Sequence, residues 1–351
     1  MKFWPKKRYI KYLTAHLLYI TGLLSLWSKI KLRNKAVVLM YHRVLSEKEI
    51  LENYSQGGIV VKCETFEKQM NYIKNNFKIL SLSEFIEHFQ KRIPFKTKSC
   101  LITFDDGWKD NFENAYPILR ENGITSIIFL TTDFIGSYKL FWQERLARLL
   151  YSLYDRSLRD KKFLEKAQKT FQHKEDLEIF ISNDGKDLKD KISVFIASQK
   201  RKESYKIEEE IDFLRQFLEM PVEESPNGQR FLNWHEIGIM AEDGITFGSH
   251  GKSHSILIKA KKDEILKEIV ESKTLIENKL GKGIISFSYP NGDFTEDVVD
   301  MVKKNGYKVA FGTGNGFVSV DDHPCKLRRI NIHEDMTRTI PLLLARIVGL
   351  W

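Results

Sequence analysis

Leu101-Ile102-Thr103-Phe104-Asp105-Asp106-Gly107-Trp108 is a short apolar run that stops at two adjacent carboxylates and a glycine. Residues 99–104 are β-branched, aromatic and few, the composition of a buried parallel strand. Side chains alternate faces along a continuing strand, so Asp105 and Asp106 can serve one site only if the strand breaks between or just after them. Gly107 permits that break. Taken alone, the stretch reads equally well as a solvated Asp-Asp-Gly turn.

The same texture recurs on both sides of it. Residues 36–42, 124–131, 245–248, 284–289, 307–312 and 327–332 are further short apolar runs. Helical patterns separate them. Phe66, Met70, Ile73 and Phe77 share helical spacing, and Ser81 with Glu84 forms a capping box ahead of Phe85, Ile86 and Phe89. Residues 110–122, closed by Gly123, together with 234–242, 263–280 and 296–304, complete the helices. Seven strands interleaved with helices predict an α/β fold, a parallel barrel rather than a sandwich or bundle. From about 138 to 228 the texture turns to Lys/Glu-rich helix without strands or chemical motifs, which predicts a helical insertion. Surface scaffold is its simplest role, with covering the site or gripping a substrate tail as alternatives.

At 351 residues the chain can bury the core of one large barrel. Its net charge of +9 would suggest nucleic acid if it were spread over the fold. Instead, residues 1–35 hold nine Lys or Arg and no acid, which leaves the remainder neutral. That excludes a basic nucleic-acid face on the main domain and marks residues 1–35 as a basic amphipathic N-terminal segment. On a helix, Ile10, Leu13, Leu17, Ile20, Leu24 and Trp27 form one stripe, while Thr14, Thr21, Ser25 and Ser28 lie elsewhere. The uncharged run 12–28 is at the lower margin for crossing a bilayer, and His16 and Gly22 interrupt it. A helix lying in a membrane interface, basic ends on anionic lipid, is the expectation. A helix packed on the barrel or at a dimer contact is the alternative. Cys63, Cys100 and Cys325 are odd in number and fit no metal or redox spacing, so they are expected to be reduced. With no small-x-small cleavage site in view, the cytoplasmic face of a membrane is expected, and export with an N-terminal anchor is the alternative.

Several predicted strands end in reactive side chains: His42, Asp105 and Asp106, His250, Tyr289, His333. In an α/β barrel those ends gather at one mouth. Ser249-His250-Gly251-Lys252-Ser253-His254 sets two imidazoles four residues apart, able to reach one metal from a compact turn. Gly251 stands where a metalloprotease helix would carry Glu. One added carboxylate, Asp106 being the natural candidate, gives a two-histidine, one-carboxylate site with room for water. Asp105 then remains free as a base. Glycosidase chemistry is disfavoured because adjacent carboxylates cannot flank a glycosidic bond at about 5 to 9.5 Å.

Thr103-Phe104-Asp105-Asp106-Gly107, His250-x-x-x-His254, Phe287-Ser288-Tyr289-Pro290-Asn291-Gly292 and Ile332-His333, in this order, resemble the polysaccharide deacetylase family, also called NodB-homology or carbohydrate esterase family 4. Tyr41-His42 and Leu232-Asn233-Trp234 are also similar to stretches in that family, and the resemblance spans about 36–335 outside the insertion. It implies a distorted (β/α) barrel that hydrolyses an N-acyl group on an amino sugar with a divalent metal, Zn²⁺ first, then Co²⁺, Ni²⁺ or Mn²⁺. It further implies Asp106, His250 and His254 as metal ligands, Asp105 as general base, the backbone N–H of Tyr289 at the oxyanion, His333 as general acid, and His42, Trp234 and Pro290 in substrate binding. The family's arginine near Tyr289, and its helper aspartate near Trp234, are replaced by Ser286-Phe287-Ser288 and His235. Arg329, four residues before His333, is the expected substitute, with Arg328 as the alternative. Strand alternation would put Arg329, Asn331 and His333 on one face.

The expected substrate is an amino-sugar polysaccharide of the cell envelope or a lipid-linked glycan precursor. A deformylase or other amidase on a lipid-linked sugar is the nearest alternative, and a non-catalytic, membrane-associated glycan-binding module is the alternative from another class.

Overall fold

The structure is a computed structural model that describes residues 6–96, 98–172, 174–181, 187–221 and 230–351. The chain divides into two units, one of residues 1–51, 58–137 and 229–351, the other of 52–57 and 138–228.

Seven parallel strands organise the first unit: β1 Ala36–Tyr41, β2 Ser99–Phe104, β3 Ile127–Leu130, β4 Thr246–Ser249, β5 Ser286–Ser288, β6 Val309–Phe311 and β7 Ile330–Asn331. Their order is β7-β1-β2-β3-β4-β5-β6, and a two-residue strand, Lys78–Ile79, also pairs with the start of β2. All seven runs expected from the sequence contain strands: 99–104 is a strand throughout, 245–248 moves one residue along to 246–249, and the other five are shortened at one or both ends. Between β6 and β7 the ring is bridged just ahead of β7: Leu327 pairs in parallel with Phe311, and Gly314 N–H donates to the Arg329 carbonyl at 3.2 Å. The result is a distorted parallel barrel.

Every residue of β1, β2 and β3 is buried. Burial on both faces is why these strands read as unbroken apolar runs rather than alternating ones. Val38, Leu101, Phe129, Phe311 and Leu327 build the core together with Phe85 and Phe95. The Ser81–Glu84 capping box opens helix Leu82–Lys91 as expected, and Asn233 with Glu236 forms a second box at helix Trp234–Glu242. The expected helix 110–122 begins with a π turn over Asn111–Ala115 before Tyr116–Asn122, and Gly123 closes it in the left-handed region at φ 63°. Cys63, Cys100 and Cys325 are unpaired.

At the N-terminus, α1 (Lys6–Ile20) and α2 (Leu23–Lys31) are separated at Gly22, whose φ is 74°. This corrects the single continuous stripe. The break rotates Leu24 inward to full burial, and Leu23, Leu26, Trp27 and Ile30 face outward on α2. Both helices pack on α3, the C-terminal helix Ile340–Ile347, so the alternative of packing on the barrel's own elements holds for their inner faces. No helix among the described residues is long and apolar enough to cross a membrane.

The second unit is helical, with helices Trp142–Arg159, Lys161–Phe171, Leu188–Gln199 and Ser204–Leu218. Leu149, Leu153, Phe171, Phe180, Ile196 and Leu214 are buried in its own core. The excursion 52–57 joins it through Tyr54, which packs on that core, and through Ser55, whose Oγ donates to Glu144 Oε1 at 2.8 Å.

Candidate active site

β2 ends at Phe104, and Asp106 and Gly107 follow in the left-handed region, at φ 78° and 74°. The chain therefore breaks between the two carboxylates. A non-glycine residue at such φ is strained and persists where its surroundings over-determine it. Here those surroundings hold Asp106 from both sides. Trp108 Nε1–H donates to Asp106 Oδ2 at 2.8 Å, and the indole is sandwiched between Phe231, 4.5 Å between ring centroids, and the Arg43 guanidinium at 4.3 Å. Arg43 is fixed in turn by Asp110 at 3.0 Å.

Asp106 Oδ1 faces two imidazoles, His250 Nε2 at 3.4 Å and His254 Nε2 at 3.3 Å. That oxygen is buried and accepts no hydrogen bond. His250 Nδ1–H donates to the Ser288 carbonyl at 2.8 Å, which fixes the tautomer that leaves Nε2 bare. The ligand atoms of Asp106, His250 and His254 all lie within 4.8 Å of one another. An unpartnered carboxylate oxygen with two convergent imidazole nitrogens is the donor set a divalent cation of intermediate softness takes, so the three residues fit such an ion.

The histidine loop is clamped from outside by a residue that sequence reasoning missed. Glu268, buried on helix Lys262–Leu280, accepts from Lys252 N–H at 2.6 Å, Ser253 N–H at 2.9 Å and Ser253 Oγ at 2.5 Å. A Cβ on Gly251 would lie 2.8 Å from Glu268 Oε2, and glycine there, at φ 79°, lets the carboxylate close on the loop. One charged residue on an amphipathic helix gave no sign of this role.

Asp105, 2% exposed, lies beside the group, its Oδ2 at 4.0 Å from His250 Nε2. Arg329 grips it with two parallel bonds, Nη1 to Oδ1 at 2.7 Å and Nη2 to Oδ2 at 2.6 Å. The guanidinium also donates to Ser288 Oγ at 2.7 Å, Thr103 Oγ1 at 3.2 Å and the Gly312 carbonyl at 3.1 Å. Ser288 Oγ donates to Asp105 Oδ2 at 3.2 Å, so the small residue on β5 leaves room for Arg329 and joins its network. Burial would raise the Asp105 carboxyl, but the Arg329 charge and the nearby imidazoles overcome it and hold the group below the usual carboxylate range. Asp106 follows the same pattern more strongly, burial being outweighed by His250 and His254.

The remaining expected residues divide. His42 lies close enough to Asp106 and Asp105 to feel both carboxylates, although burial still depresses its imidazole, and its Nδ1 is buried without a hydrogen-bond partner. His333 stands at the N-cap of helix Glu334–Thr337, feels His42, and is likewise pushed down by burial. Asn331, expected on its face, donates instead to the Gly58 carbonyl. The oxyanion role expected of the Tyr289 N–H is overturned: that N–H donates to the Phe311 carbonyl at 2.9 Å, inside the barrel ladder. The Tyr289 ring is fully buried and its hydroxyl donates to the Cys325 carbonyl. Pro290 is also buried, its Cγ facing Gly251, so it supports the histidine loop rather than offering a free surface to substrate. Trp234 opens its helix half-buried, with Lys279 Nζ 5.9 Å from its ring centroid, and His235 is exposed.

A barrel mouth holding two carboxylates in unlike surroundings, one facing two imidazoles and one clamped by arginine, defines a hydrolase-type site. Comparison with known proteins makes the class specific: the family model for polysaccharide deacetylase matches residues 92–174 and 186–310, and the chain belongs to that family. YxkH of Bacillus subtilis strain 168 is 22% identical over 314 residues, 89% of this chain and 77% of that protein. The poly-beta-1,6-N-acetyl-D-glucosamine N-deacetylase of Staphylococcus epidermidis is 34% identical over 118 residues, 30% of this chain and 39% of that enzyme. The fold is shared with the Streptococcus pyogenes deacetylase PplD, at TM-score 0.57 and 17% identity over 89% of this chain and 98% of that one. It is shared also with IcaB from Ammonifex degensii, at TM-score 0.54 and 16% identity over 90% and 97%.

Proposed function

We propose that this protein is a metal-dependent carbohydrate N-deacetylase acting on an amino-sugar glycan of the cell envelope at a membrane surface. The observation that carries the reading is the unpartnered, buried Asp106 Oδ1 facing the Nε2 atoms of His250 and His254, with the arginine-clamped Asp105 beside it. Asp106, His250 and His254 would hold a divalent cation, Zn²⁺ first from its two nitrogens and one oxygen, and such an ion supplies a Lewis acid for the amide carbonyl and an acidified water. The chain's own groups do the rest. Asp105, ionised and fixed in direction by Arg329, takes the proton of the attacking water through Oδ1, which keeps a second lone pair beyond the Arg329 bond, whereas Oδ2 accepts from both Arg329 and Ser288. His333 delivers a proton to the departing amine, so water and amide become acetate and a free amino sugar. His42, which feels both carboxylates and is felt by His333, would face the substrate.

The match to the Staphylococcus epidermidis enzyme supports a poly-N-acetylglucosamine type of polysaccharide, and a lipid-linked precursor is the second form of the same substrate. A deformylase acting on a lipid-linked sugar would use the same groups with a different acyl pocket. The cytoplasmic side is the reading for the membrane surface, consistent with three unpaired cysteines, and digestion by protease added outside intact cells would reverse it. Metal-loaded protein, incubated with β-1,6-linked N-acetylglucosamine oligomers, N-formylated counterparts and lipid-linked N-acetylated sugars, should release acetate from the N-acetylated set. Amine release unchanged by Asp105→Asn or His250→Ala, in protein that binds no divalent ion, would leave a glycan-binding module instead.

A further inference from the structure

The N-terminal helices are inverted relative to an ordinary surface helix. Ala15 on α1 and Ser28 on α2 are fully buried, as is Leu24, while Ile10, Leu17, Ile20 and Ile30 are 61%, 64%, 81% and 64% exposed. Leu13, Leu23, Leu26 and Trp27 are exposed with them. A water-facing helix places its apolar stripe against the core and its polar face outside. Here Ala15, Leu24 and Ser28 meet the body of the protein, and most of the large apolar side chains face away from it.

Charge argues which partner covers this face. Residues 1–35 carry nine Lys or Arg and no acid. Among them Lys29, Lys31, Arg33 and Lys35 are exposed at the far end of α2, and Arg8 near the start of α1. Two copies of the chain meeting on this face would bring like charges together, whereas an anionic bilayer receives both the stripe and the cations. Over the described residues neither helix is long enough to span: α1 has 15 residues and α2 has 9, against the roughly 20 a crossing needs. The break at Gly22 instead lets two short helices lie flat. Arg8 Nη2 lies 3.9 Å from Asp335 Oδ2, two residues beyond His333, so this face begins close to the end of the barrel that bears the site.

We infer that α1 and α2 together form an in-plane docking face for an anionic lipid bilayer, a deepening that rests on the membrane-surface part of the reading above. Full-length protein is mixed with vesicles of phosphatidylcholine and with vesicles carrying about one third phosphatidylglycerol, and floated. Binding is expected to the anionic vesicles and to weaken with salt. Leu17→Gln with Ile30→Gln, both outward, should lower it by about tenfold or more with the circular dichroism unchanged. Lys29→Gln with Lys31→Gln should lower the preference for anionic over neutral lipid by about tenfold. Absence of wild-type binding to anionic vesicles, or glutamine variants that float like wild type, overturns the inference. So does a wild-type dimer that the Leu17/Ile30 variant converts to monomer while vesicle binding stays the same, which would assign the face to a second copy. Asp105→Asn protein should float like wild type, so failure of the deacetylase reading and failure of lipid docking are read separately.

Discussion

Arg329 and Asp105, from segments 224 residues apart, meet as a buried bidentate pair with N–O distances of 2.7 and 2.6 Å. A guanidinium gripping both oxygens fixes the plane of the carboxylate as well as its charge. Arg329 thus meets Asp105 directly, the contact expected of a substitute for the family's arginine near Tyr289.

Shortening that grip should separate orientation from charge. Arg329→Lys keeps a cation but cannot form the fork, and kcat should fall by roughly a hundredfold with KM little changed. Arg329→Ala strands a buried carboxylate and should cost about 3 to 5 kcal/mol of unfolding free energy. A deacetylation rate in Arg329→Ala equal to wild type, measured by amine release, would remove Arg329 from the mechanism.

The two carboxylates should fail differently. Asp106→Asn should weaken divalent-ion affinity by about a hundredfold or more, read by competition with a chromogenic chelator, whereas Asp105→Asn should keep the ion and lose turnover. Chelator treatment of the wild type should abolish amine release, and Zn²⁺ should restore it. Equal metal affinity in both variants would sink the division of roles.

Glu268 offers a test at a distance from the ligands. Glu268→Gln halves the accepting capacity that holds Lys252, Ser253 and their backbone, so the histidine loop should loosen. Metal affinity should drop by about 10- to 100-fold, while the barrel stays folded. Unchanged affinity with unchanged loop protection in hydrogen exchange would show the clamp to be idle.

His333 predicts a direction in pH. Burial lowers its imidazole from 6.5, with Arg346, Arg8 and His42 adding to the effect and Asp335 opposing it. A folded-state pKa below the unfolded one means that the unfolded chain binds the proton first as pH falls. The contribution is therefore intact above pH 6.5 and is lost on descending through the folded pKa. Thermal melts from pH 8 to pH 5 should show a loss on the acid side that His333→Gln reduces, and identical acid-side slopes would contradict it.

Much of this site was legible because its parts carry local signatures. The apolar runs that became β1 to β7, the break at Asp106-Gly107 and the four-residue spacing of His250 and His254 follow from periodicity and residue chemistry, whereas Arg329 came into view only as the substitute for an arginine that the family resemblance implies. Tyr289 misled because its motif does not show that the N–H is already spent on Phe311 in the barrel ladder. Leu24 misled because one helical wheel cannot register the turn that Gly22 inserts. Glu268 and Trp108 gave no signal, since a charged helix residue and an apolar residue after a turn read as surface and core.

The sequence by itself determined the succession of short buried strands and helices and the order in which carboxylates and imidazoles stand at strand ends. Those are properties of neighbours along the chain. Which atoms face one another was decided by closure of the barrel. Residues just ahead of β7 pair with β6, while β7 itself pairs with β1, the neighbour of β2. That closure places Arg329 within reach of Asp105, and in a buried interior such a charge persists only where its partner also arrives.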